Sequence, residues 1–516
     1  MTPDPNIDTG LDPIVIPSTD GMTTKVVKGS LWTLAGQVAP LAVSLVATPF
    51  VIRYLGSTGY GLLILVGLIP TYLSFADFGM NIASTRFASE AFAEGNGPKE
   101  AGVIRTASLI ALTTSVPIAA IIFIFSAQII GIFNVPENLL PDASLALKFA
   151  AITFVVNFLN GILNTPQLTR LRMDLNTFIN GGFSVLGLIS VPIVLFFYRE
   201  IALATFVLMT VSILKLGGNL IVSGHLLRDL FRRAKETVDT RSLLKFGAGV
   251  SVAGIAGILL ANAEKGILAA TVSAAALAHY SVAFTLASMM TMFSGAMVQS
   301  LLPAFSRLRQ DGNVGHLDSL YLRGIRISMV WAIPVLAILS LIAKPFFSRW
   351  AGEDFGNNSA LPFYVLLGGV AFNIVAYFPY TAIMASGRSD VLAKLYWIEL
   401  AAYVALVWFL SSRFGAVGAA AAWSIRVIID TLIQLALAKK LAGVSYPKRG
   451  LVPFLVAAII MSFPFLANLY YGTLNLGVII VTVFCLTAYS ILVWKTIIEK
   501  EEISWLMQRI TAKFVK

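Results

Sequence analysis

The sequence predicts an all-α polytopic membrane protein with about 14 transmembrane helices, and three observations support this fold class. Of the 516 residues, 57% are hydrophobic and 12% are charged, with a mean hydropathy of +0.83. A soluble chain of this length needs more charge to cover its surface. The charges stand in clusters, separated by apolar stretches of about 20 residues, the length of helix that crosses a hydrocarbon core of about 30 Å. Proline and glycine occur inside these stretches, as bilayer helices tolerate.

The predicted spans follow from these apolar stretches, taken in chain order. They are 29–52, 59–78, 104–126, 143–164, 176–197, 201–223, 246–270, 277–303, 325–346, 361–384, 391–411, 415–438, 450–469 and 475–494.

Lysine and arginine are distributed unevenly between the two sides of these spans. With a cytoplasmic N-terminus, 28 of the 37 lie in cytoplasmic segments, five in outer connections and four inside spans. The five outer residues are Arg53, Arg199, Lys344, Arg349 and Arg413. This positive-inside bias predicts that both termini are cytoplasmic. The net charge of +11 is therefore a topology signal and does not indicate a nucleic-acid partner.

Five short motifs recur at an offset of about 217 residues, which predicts two related halves. The pairs are Lys28-Gly29 with Lys245-Phe246-Gly247, Gly59-Tyr60-Gly61 with His279-Tyr280-Ser281, Glu94-Gly95-Asn96 with Asp311-Gly312-Asn313, Arg172 with Arg388, and Arg199 with Arg413. Because each half has six spans, both halves cross the membrane in the same orientation, as in transporters with parallel repeats and a cavity between two lobes. A repeat that serves packing alone is the alternative.

The predicted organisation follows from this repeat. It comprises a disordered cytoplasmic tail (1–24), an N-terminal six-helix lobe (25–223, the N-lobe), a basic linker helix (224–245), a C-terminal six-helix lobe (246–440, the C-lobe), two additional spans (441–495) and an amphipathic cytoplasmic tail (496–516).

Motifs for enzyme chemistry are missing from the sequence. It contains no GxxxxGK[ST] phosphate loop and no H-E-x-x-H metal motif, and its single cysteine, Cys485, lies inside the last span. The outer connections are too short for a catalytic domain. We therefore expect neither an enzyme nor a resident cofactor, and transport powered by a gradient or by the membrane potential.

Ionisable residues inside the spans are the candidate site residues, because a charge at the bilayer centre costs about 2.5–3.5 kcal/mol on insertion scales. Span 7 carries Glu264 and Lys265, which lie about 100° apart on a helix and cannot pair well with each other. Span 12 carries Arg426 and Asp430 at i,i+4, and Glu399 of span 11 is positioned to join them. Each group either lines a wet cavity or forms a neutralised structural network.

Further candidates lie nearer to the span ends. Lys148 and Lys215 stand about two turns from a helix end, where they either snorkel or bind substrate. Asp77, at the end of span 2, and Arg53 are boundary residues or members of the site. The deep positions carry four cations (148, 215, 265, 426) against three carboxylates (264, 399, 430). This small cationic excess suits an anionic substrate such as a pyrophosphate head, with the carboxylates as ion-coupling groups.

Several of these segments resemble a known family. Gly29-Ser30-Leu31-Trp32 and Tyr54-Leu55-Gly56-Ser57-Thr58-Gly59-Tyr60-Gly61-Leu62 resemble the start of polysaccharide-type flippases, a branch of the multidrug/oligosaccharidyl-lipid/polysaccharide (MOP) exporter superfamily. Further matching segments are Glu264-Lys265, Tyr280-Ser281-Val282-Ala283-Phe284, Trp350-Ala351-Gly352-Glu353-Asp354-Phe355, Ser386-Gly387-Arg388 and Phe414-Gly415-Ala416-Val417-Gly418-Ala419-Ala420. The likeness covers about residues 25–495, and many relatives carry Asp where Glu264 stands.

The resemblance implies twelve core helices in two lobes, two extra helices and alternating access in a bacterial inner membrane. It also implies an undecaprenyl-pyrophosphate-linked oligosaccharide as substrate, moved from the inner to the outer leaflet for lipopolysaccharide, capsule or exopolysaccharide biosynthesis. Other expected partners are membrane lipids and glycan-assembly proteins of the same pathway. The alternatives are a multidrug or small-cation antiporter of the same fold, a membrane polymerase and a lipid scaffold. Lys265, Arg426, Lys215, Lys148 and Arg53 are the expected substrate-binding residues; Glu264, Glu399, Asp430 and Asp77 are the expected ion-coupling residues.

Overall fold

The computed structural model describes residues 19–232, 238–445, 456, 459–460, 462–463, 466 and 476–497. Within these ranges every regular element is a helix. The helices are α1 (Thr19–Tyr72), α2 (Met80–Ala93), α3 (Gly97–Ile124), α4 (Ser126–Gly131), α5 (Leu140–Leu163), α6 (Thr165–Thr169), α7 (Met173–Asn176), α8 (Gly182–Phe197), α9 (Ile201–Leu226), α10 (Thr240–Thr271), α11 (Ala274–Ser288), α12 (Met292–Gln310), α13 (Val314–Ala351), α14 (Glu353–Ala385), α15 (Ser389–Ala442) and α16 (Leu476–Leu492).

Eleven helical segments among the described residues are long and apolar enough to cross a membrane. Two of them, Trp32–Asp77 and Ser389–Ala442, each cover nearly all of two predicted spans. The chain bends inside both, at Gly56 (φ 70°) and Gly415 (φ 57°), where glycine reaches a left-handed conformation without a Cβ penalty. The prediction of an all-α polytopic membrane protein is therefore confirmed. The predicted span 450–469 lies largely outside the described residues.

Two predicted boundaries differ from the structure. A 3₁₀ turn, Met289–Thr291, interrupts the predicted span 277–303 and separates α11 from α12. At the N-terminus α1 begins at Thr19, so the last residues of the predicted disordered tail are helical, while residues 1–18 are outside the described part. Most of the predicted C-terminal tail, residues 498–516, is also outside it.

The connection between the lobes differs from the predicted linker helix at 224–245. After α9 the chain forms a short 3₁₀ turn, Arg228–Phe231, and α10 begins only at Thr240. Leu227 and Leu230 are buried in the N-lobe core, so these two residues of the connection pack on protein, whereas Phe231 is 69% exposed. Hydrogen bonds from Ser242 to Asp239 begin α10 and hold the pKa of the Asp239 carboxyl below its usual range. Residues 233–237 are not among those described.

The recurring turn after the second span of each lobe has the same local structure in both. Gly95 (φ 70°) and Gly312 (φ 68°) end one helix in the left-handed conformation. Asn96 and Asn313 then begin the next helix, each accepting a hydrogen bond from the backbone N–H three residues later, at 2.9 and 3.3 Å. The internal repeat predicted from sequence is therefore also a repeat of backbone geometry.

The second pair of recurring turns supports the same conclusion. Arg172 and Arg388 each follow a residue with positive φ and each bind the carboxylate two positions later, with Nε to Oδ1 distances of 3.0 and 3.2 Å. The partners are Asp174 and Asp390.

The two lobes touch through backbone atoms along one seam. A Cβ at Gly61 would lie 1.8 Å from the carbonyl oxygen of Ala274, and a Cβ at Gly79 would lie 2.3 Å from that of Gly247. Such close approach needs glycine, as in other bilayer proteins whose helices pack through small residues. The second half of α1 and the start of α2 are thereby pressed against α10 and α11.

Side chains also bridge this seam. The Tyr72 hydroxyl donates to the carbonyl of Asn262 (2.6 Å) and accepts from the N–H of Gly266 (3.0 Å), and the Trp350 indole donates to the carbonyl of Leu45 (2.8 Å). In the bilayer, where water does not compete, these bonds join the lobes directly to each other's backbone.

Candidate functional site

A buried polar cluster lies inside the C-lobe, between α10 and α15. Glu264 of α10 has no solvent-exposed surface, and its Oε2 accepts a 2.9 Å hydrogen bond from the Tyr403 hydroxyl of α15. The guanidinium carbon of Arg426 stands 5.2 Å from the centre of the same tyrosine ring. Tyr403 therefore contacts both a predicted coupling carboxylate and a predicted anion-binding cation.

Arg426 pairs with Glu399 and not, as predicted, with Asp430. Its NH1 lies 3.8 Å from Glu399 Oε2, and both side chains are largely buried, with exposures of 14% and 9%. Asp430 accepts two hydrogen bonds instead from the Gln434 amide, one turn later, at 2.8 and 2.9 Å. Gln434 thus takes up both carboxylate oxygens that were expected to face the guanidinium.

Lys265 points away from Glu264, as helix geometry predicts for neighbouring positions. Its Nζ donates to Asn262 Oδ1 (2.9 Å) and lies 4.9 Å from the centre of the Phe284 ring. Phe284, on α11, packs edge-to-face against Trp423 of α15. The ammonium group therefore rests on an aromatic wall, where cation–π attraction offsets part of the cost of its burial.

Several buried polar atoms of this cluster have no hydrogen-bond partner of normal geometry among the described residues. They are Glu264 Oε1, the Tyr280 hydroxyl, both oxygens of Glu399 and Nε of Arg426. Each such atom costs about 1–3 kcal/mol when buried. With all groups ionised, the cluster holds three carboxylates against two cations. It thus has both unused hydrogen-bonding capacity and one negative charge to be balanced by a proton or another cation.

The two remaining deep cations belong to the N-lobe and are not part of this cluster. Lys148 of α5 is half-buried, with its Nζ 5.6 Å from the centre of the Phe123 ring, and Lys215 of α9 is half-buried as well. Neither forms an ion pair with a residue that the structure describes. In this conformation the deep charges therefore divide between the two lobes, because α10 and α15, which carry Glu264, Lys265, Glu399, Arg426 and Asp430, both belong to the C-lobe.

Asp77 and Arg53 occupy very different environments. Asp77 is buried, and its carboxylate accepts hydrogen bonds from the N–H groups of Gly79 (2.8 Å) and Asn81 (3.2 Å), where α2 begins. This is a local capping role and not a place in a charge network. Arg53 is exposed at the end of the first half of α1.

A cavity of about 300 Å³ lies in the N-lobe between the second half of α1, α5 and α9. Its polar wall consists of Thr71, Ser74, Thr153, Asn157 and Thr205. Lys215 stands seven residues after the lining residue Leu208, on the same face of α9. The cavity escaped the sequence analysis, which considered charges only; the i,i+4 spacing of Thr153 and Asn157 was the available signal.

One small cavity lies at the seam between the lobes. The cavity there, bordered by Ser44, Thr48, Tyr60, Thr285 and Trp350 among others, has a volume of about 30 Å³. None of the nine predicted site residues lines it. In this conformation the lobes are closed against each other at that point.

A larger, apolar groove lies between the first half of α1 and α8, with a volume of about 810 Å³. Tyr54 supplies the polar side-chain atom among its lining residues. They are Ala42, Val43, Val46, Ala47, Phe50, Tyr54, Ile189, Pro192, Ile193, Phe196 and Phe197.

Fold and site together define a helical membrane protein of two six-helix lobes with ionisable groups buried in each. Residues 26–309 match the family of polysaccharide biosynthesis proteins, and the chain belongs to that family. It is 24% identical over 417 residues to a protein of Shigella flexneri named "Putative O-antigen transporter", covering 79% of this chain and 96% of that protein. It is also 23% identical over 330 residues to the uncharacterized membrane protein EpsK of Bacillus subtilis (strain 168), covering 61% and 63% of the two chains.

Solved structures share the fold at lower identity. The lipid II flippase MurJ in its inward closed conformation superimposes with a TM-score of 0.68 at 15% identity, covering 90% of this chain and 98% of that one. An inward-facing multidrug resistance MATE family transporter of the MOP superfamily gives a TM-score of 0.62 at 12% identity, covering 80% and 94%. The two-lobed architecture is therefore that of these transporters.

Proposed function

We propose that this protein moves a lipid-linked oligosaccharide, of the undecaprenyl-pyrophosphate type, from the inner to the outer leaflet of a bacterial inner membrane. The product would serve lipopolysaccharide, capsule or exopolysaccharide biosynthesis. The observation that carries the proposal is the likeness to the Shigella flexneri protein named "Putative O-antigen transporter", which extends over 96% of that protein. Membership of the polysaccharide biosynthesis family and the two-lobed fold support it.

The described residues offer the polar partners that the head group of such a substrate needs. Sugars and a diphosphate cannot enter hydrocarbon without polar partners, so the head needs a polar path while the lipid tail stays in the bilayer. The N-lobe offers two deep cations without an ion-pair partner among the described residues, Lys148 and Lys215, and a cavity with hydroxyl and amide groups next to the Lys215 face. We assign the binding of the anionic head to these two lysines, aided by Lys265 and Arg426 when the lobes separate.

We propose that the C-lobe cluster couples substrate movement to the movement of an ion. Glu264, Glu399 and Asp430 exceed the cations of the cluster by one charge, so uptake or release of one cation changes its balance. The membrane potential, negative inside, adds a second driving force. It lowers the free energy of an anionic head that moves outward by about 2.3 kcal/mol per charge per 100 mV. Collapse of the potential in liposomes should therefore slow export; an unchanged rate would refute this contribution.

Alternating access requires that the two backbone contacts of the seam open in turn. The contact between Gly61 and Ala274 would open toward one side of the membrane, and that between Gly79 and Gly247 toward the other. With both termini in the cytoplasm, as the lysine and arginine distribution favours, the second contact faces the cytoplasm. Reporter fusions at the loops test this orientation.

The decisive experiment uses purified protein in proteoliposomes that contain a fluorescent lipid-linked oligosaccharide. Arrival in the opposite leaflet is measured by accessibility to a membrane-impermeant glycosidase. The wild-type protein should accelerate arrival. Lys148→Ala/Lys215→Ala removes the two cations assigned to the head and should abolish arrival, and Lys265→Ala should slow it, while both variants remain folded in the membrane. Efflux of cationic drugs without movement of the glycolipid would favour the multidrug antiporter instead.

A further inference from the structure

The apolar groove between the first half of α1 and α8 is open to the bilayer. Val46 is 66% exposed and Phe197 is 69% exposed, and both line the groove. Any apolar helix surface in a membrane is covered by lipid, so exposure alone says little. What distinguishes this surface is its concave shape: its volume of about 810 Å³ is within the range of specific small-molecule sites, roughly 300–1,000 Å³.

Two arginines border one end of the groove. Arg53 directly precedes the lining residue Tyr54, and Arg199 follows the lining residue Phe197 by two positions. The rings of Tyr54 and Phe196 meet edge-to-face at 5.9 Å, which holds the ends of α1's first half and α8 together. Both arginines are exposed, and neither forms an ion pair with another residue in the described part of the chain.

The position of these arginines is unusual for the chain. Of the 37 lysines and arginines, five fall in predicted outer connections, and two of those five stand here. The positive-inside rule disfavours cations on that side, so a pair of them beside an apolar groove needs another explanation. Guanidinium groups bind phosphate oxygens in a bidentate manner, and two of them match the two phosphates of a diphosphate.

We infer that this groove binds the polyprenyl chain of the carrier lipid in the outer half of the membrane, with its phosphates on Arg53 and Arg199. The inference rests on the proposed function and adds a site to it. One helix separates the groove from the seam between the lobes: Val43, Val46 and Phe50 face the groove, whereas Ser44 and Thr48 border the seam cavity.

The same helix is suited to let the lipid pass. Pro40 and Pro49 lie within α1, one before the lining residues 42–47 and one before the lining residues Phe50 and Tyr54, and each removes a backbone hydrogen bond of the helix. Helices bend at such positions. The head group, moving along the seam, and the tail, lying in the groove, therefore remain joined across a single deformable helix.

The test measures binding of polyprenyl pyrophosphate to the full-length protein in nanodiscs, with polyprenol and phosphatidylglycerol as comparison lipids. Val46→Trp/Ile193→Trp fills the groove, and Leu109→Trp is its control on the exposed face of α3. Arg53→Gln/Arg199→Gln removes the two cations, and Arg413→Gln is its control at the corresponding position of the C-lobe.

Filling the groove should weaken binding of polyprenyl pyrophosphate by at least about tenfold. Removing the arginines should weaken it similarly while binding of polyprenol is unchanged, and both controls should behave as wild type. The inference would be overturned if the wild-type protein bound phosphatidylglycerol as tightly as polyprenyl pyrophosphate. It would also be overturned if Val46→Trp/Ile193→Trp bound polyprenyl pyrophosphate as tightly as wild type. These failures differ from failure of the proposed function, in which the wild-type protein does not move the glycolipid in proteoliposomes.

Discussion

The Tyr403 hydroxyl donates a 2.9 Å hydrogen bond to the buried carboxylate of Glu264, across the contact between α10 and α15. The two residues are 139 positions apart in sequence, and the bond joins the first and last pairs of spans of the C-lobe. The other Glu264 oxygen has no hydrogen-bond partner of normal geometry among the described residues, so the Tyr403 hydroxyl is a main polar contact of this buried carboxylate.

Loss of this bond should be costly. Tyr403→Phe leaves the Glu264 carboxylate buried with neither oxygen bonded by a described residue, and we expect stability to fall by about 1–3 kcal/mol. Tyr280→Phe is the comparison variant, because its hydroxyl is equally buried and lies near the same carboxylate but forms no hydrogen bond of normal geometry with a described residue. Thermal unfolding in detergent should show a clear loss for the first variant and little for the second. Equal effects would show that the bond itself is unimportant.

The choice of partner by Arg426 gives a second prediction. A double-mutant cycle between Arg426 and Glu399 should give a coupling energy above about 0.5 kcal/mol, and one between Arg426 and Asp430 a smaller value. The variants are Arg426→Gln, Glu399→Gln and Asp430→Asn, which keep the side-chain size. Coupling that is stronger to Asp430 would mean that the i,i+4 pair predicted from sequence forms in the membrane after all.

A third prediction concerns two ion pairs formed by arginines two positions apart, Arg170 and Arg172. Arg170 binds Glu100 with two nitrogens, at 2.6 and 3.0 Å, and Glu100 is 1% exposed. Arg172 binds Asp174 at the exposed surface, with exposures of 49% and 40%. Removing one partner of a buried pair costs about 3–5 kcal/mol, whereas an exposed pair is worth about 0–1 kcal/mol.

Arg170→Ala should therefore lower the unfolding temperature strongly, and Arg172→Ala hardly at all. Expression level and thermal unfolding of the two single variants are sufficient to measure this. If both variants lose the same stability, burial of Glu100 does not set the strength of its pair.

Sequence predicted the fold well because bilayer thickness sets the span length and leaves few alternatives. The bend at Gly56 falls between two predicted spans and the bend at Gly415 falls at the first residue of one. The repeat predicted by Gly95 and Gly312 has similar turn geometry in both lobes. Sequence did not predict the linker at Leu227, since burial against α3 cannot be distinguished from burial in the membrane by hydropathy alone.

The site was predicted less completely. Helical periodicity places Glu264 and Lys265 on different faces, and the structure gives them different partners. Periodicity does not show which helix lies opposite a given face. Tyr403 was therefore missed as the partner of Glu264, and Asp430 was assigned to Arg426. Depth in the membrane could be estimated from sequence, whereas neighbours on other helices could not.

The seam between the lobes gives the last prediction. A methyl group at position 61 would stand 1.8 Å from the Ala274 carbonyl oxygen, too close for any side chain to accept without a backbone shift. Gly61→Ala should therefore force the lobes apart there, at a cost of about 1–3 kcal/mol. Gly257→Ala is the control, because the same methyl group at that position of α10 meets no atom within 4 Å.

Comparing these two variants distinguishes a defect in closing the contact between the lobes from a general effect of alanine on folding. Gly61→Ala should slow glycolipid movement in proteoliposomes by at least about tenfold, because a protein whose lobes cannot close at this contact cannot complete the transport cycle. Gly257→Ala should move it at the wild-type rate. Because alternating access requires closure at this contact once in every cycle, full activity of Gly61→Ala would show that the contact is incidental to transport.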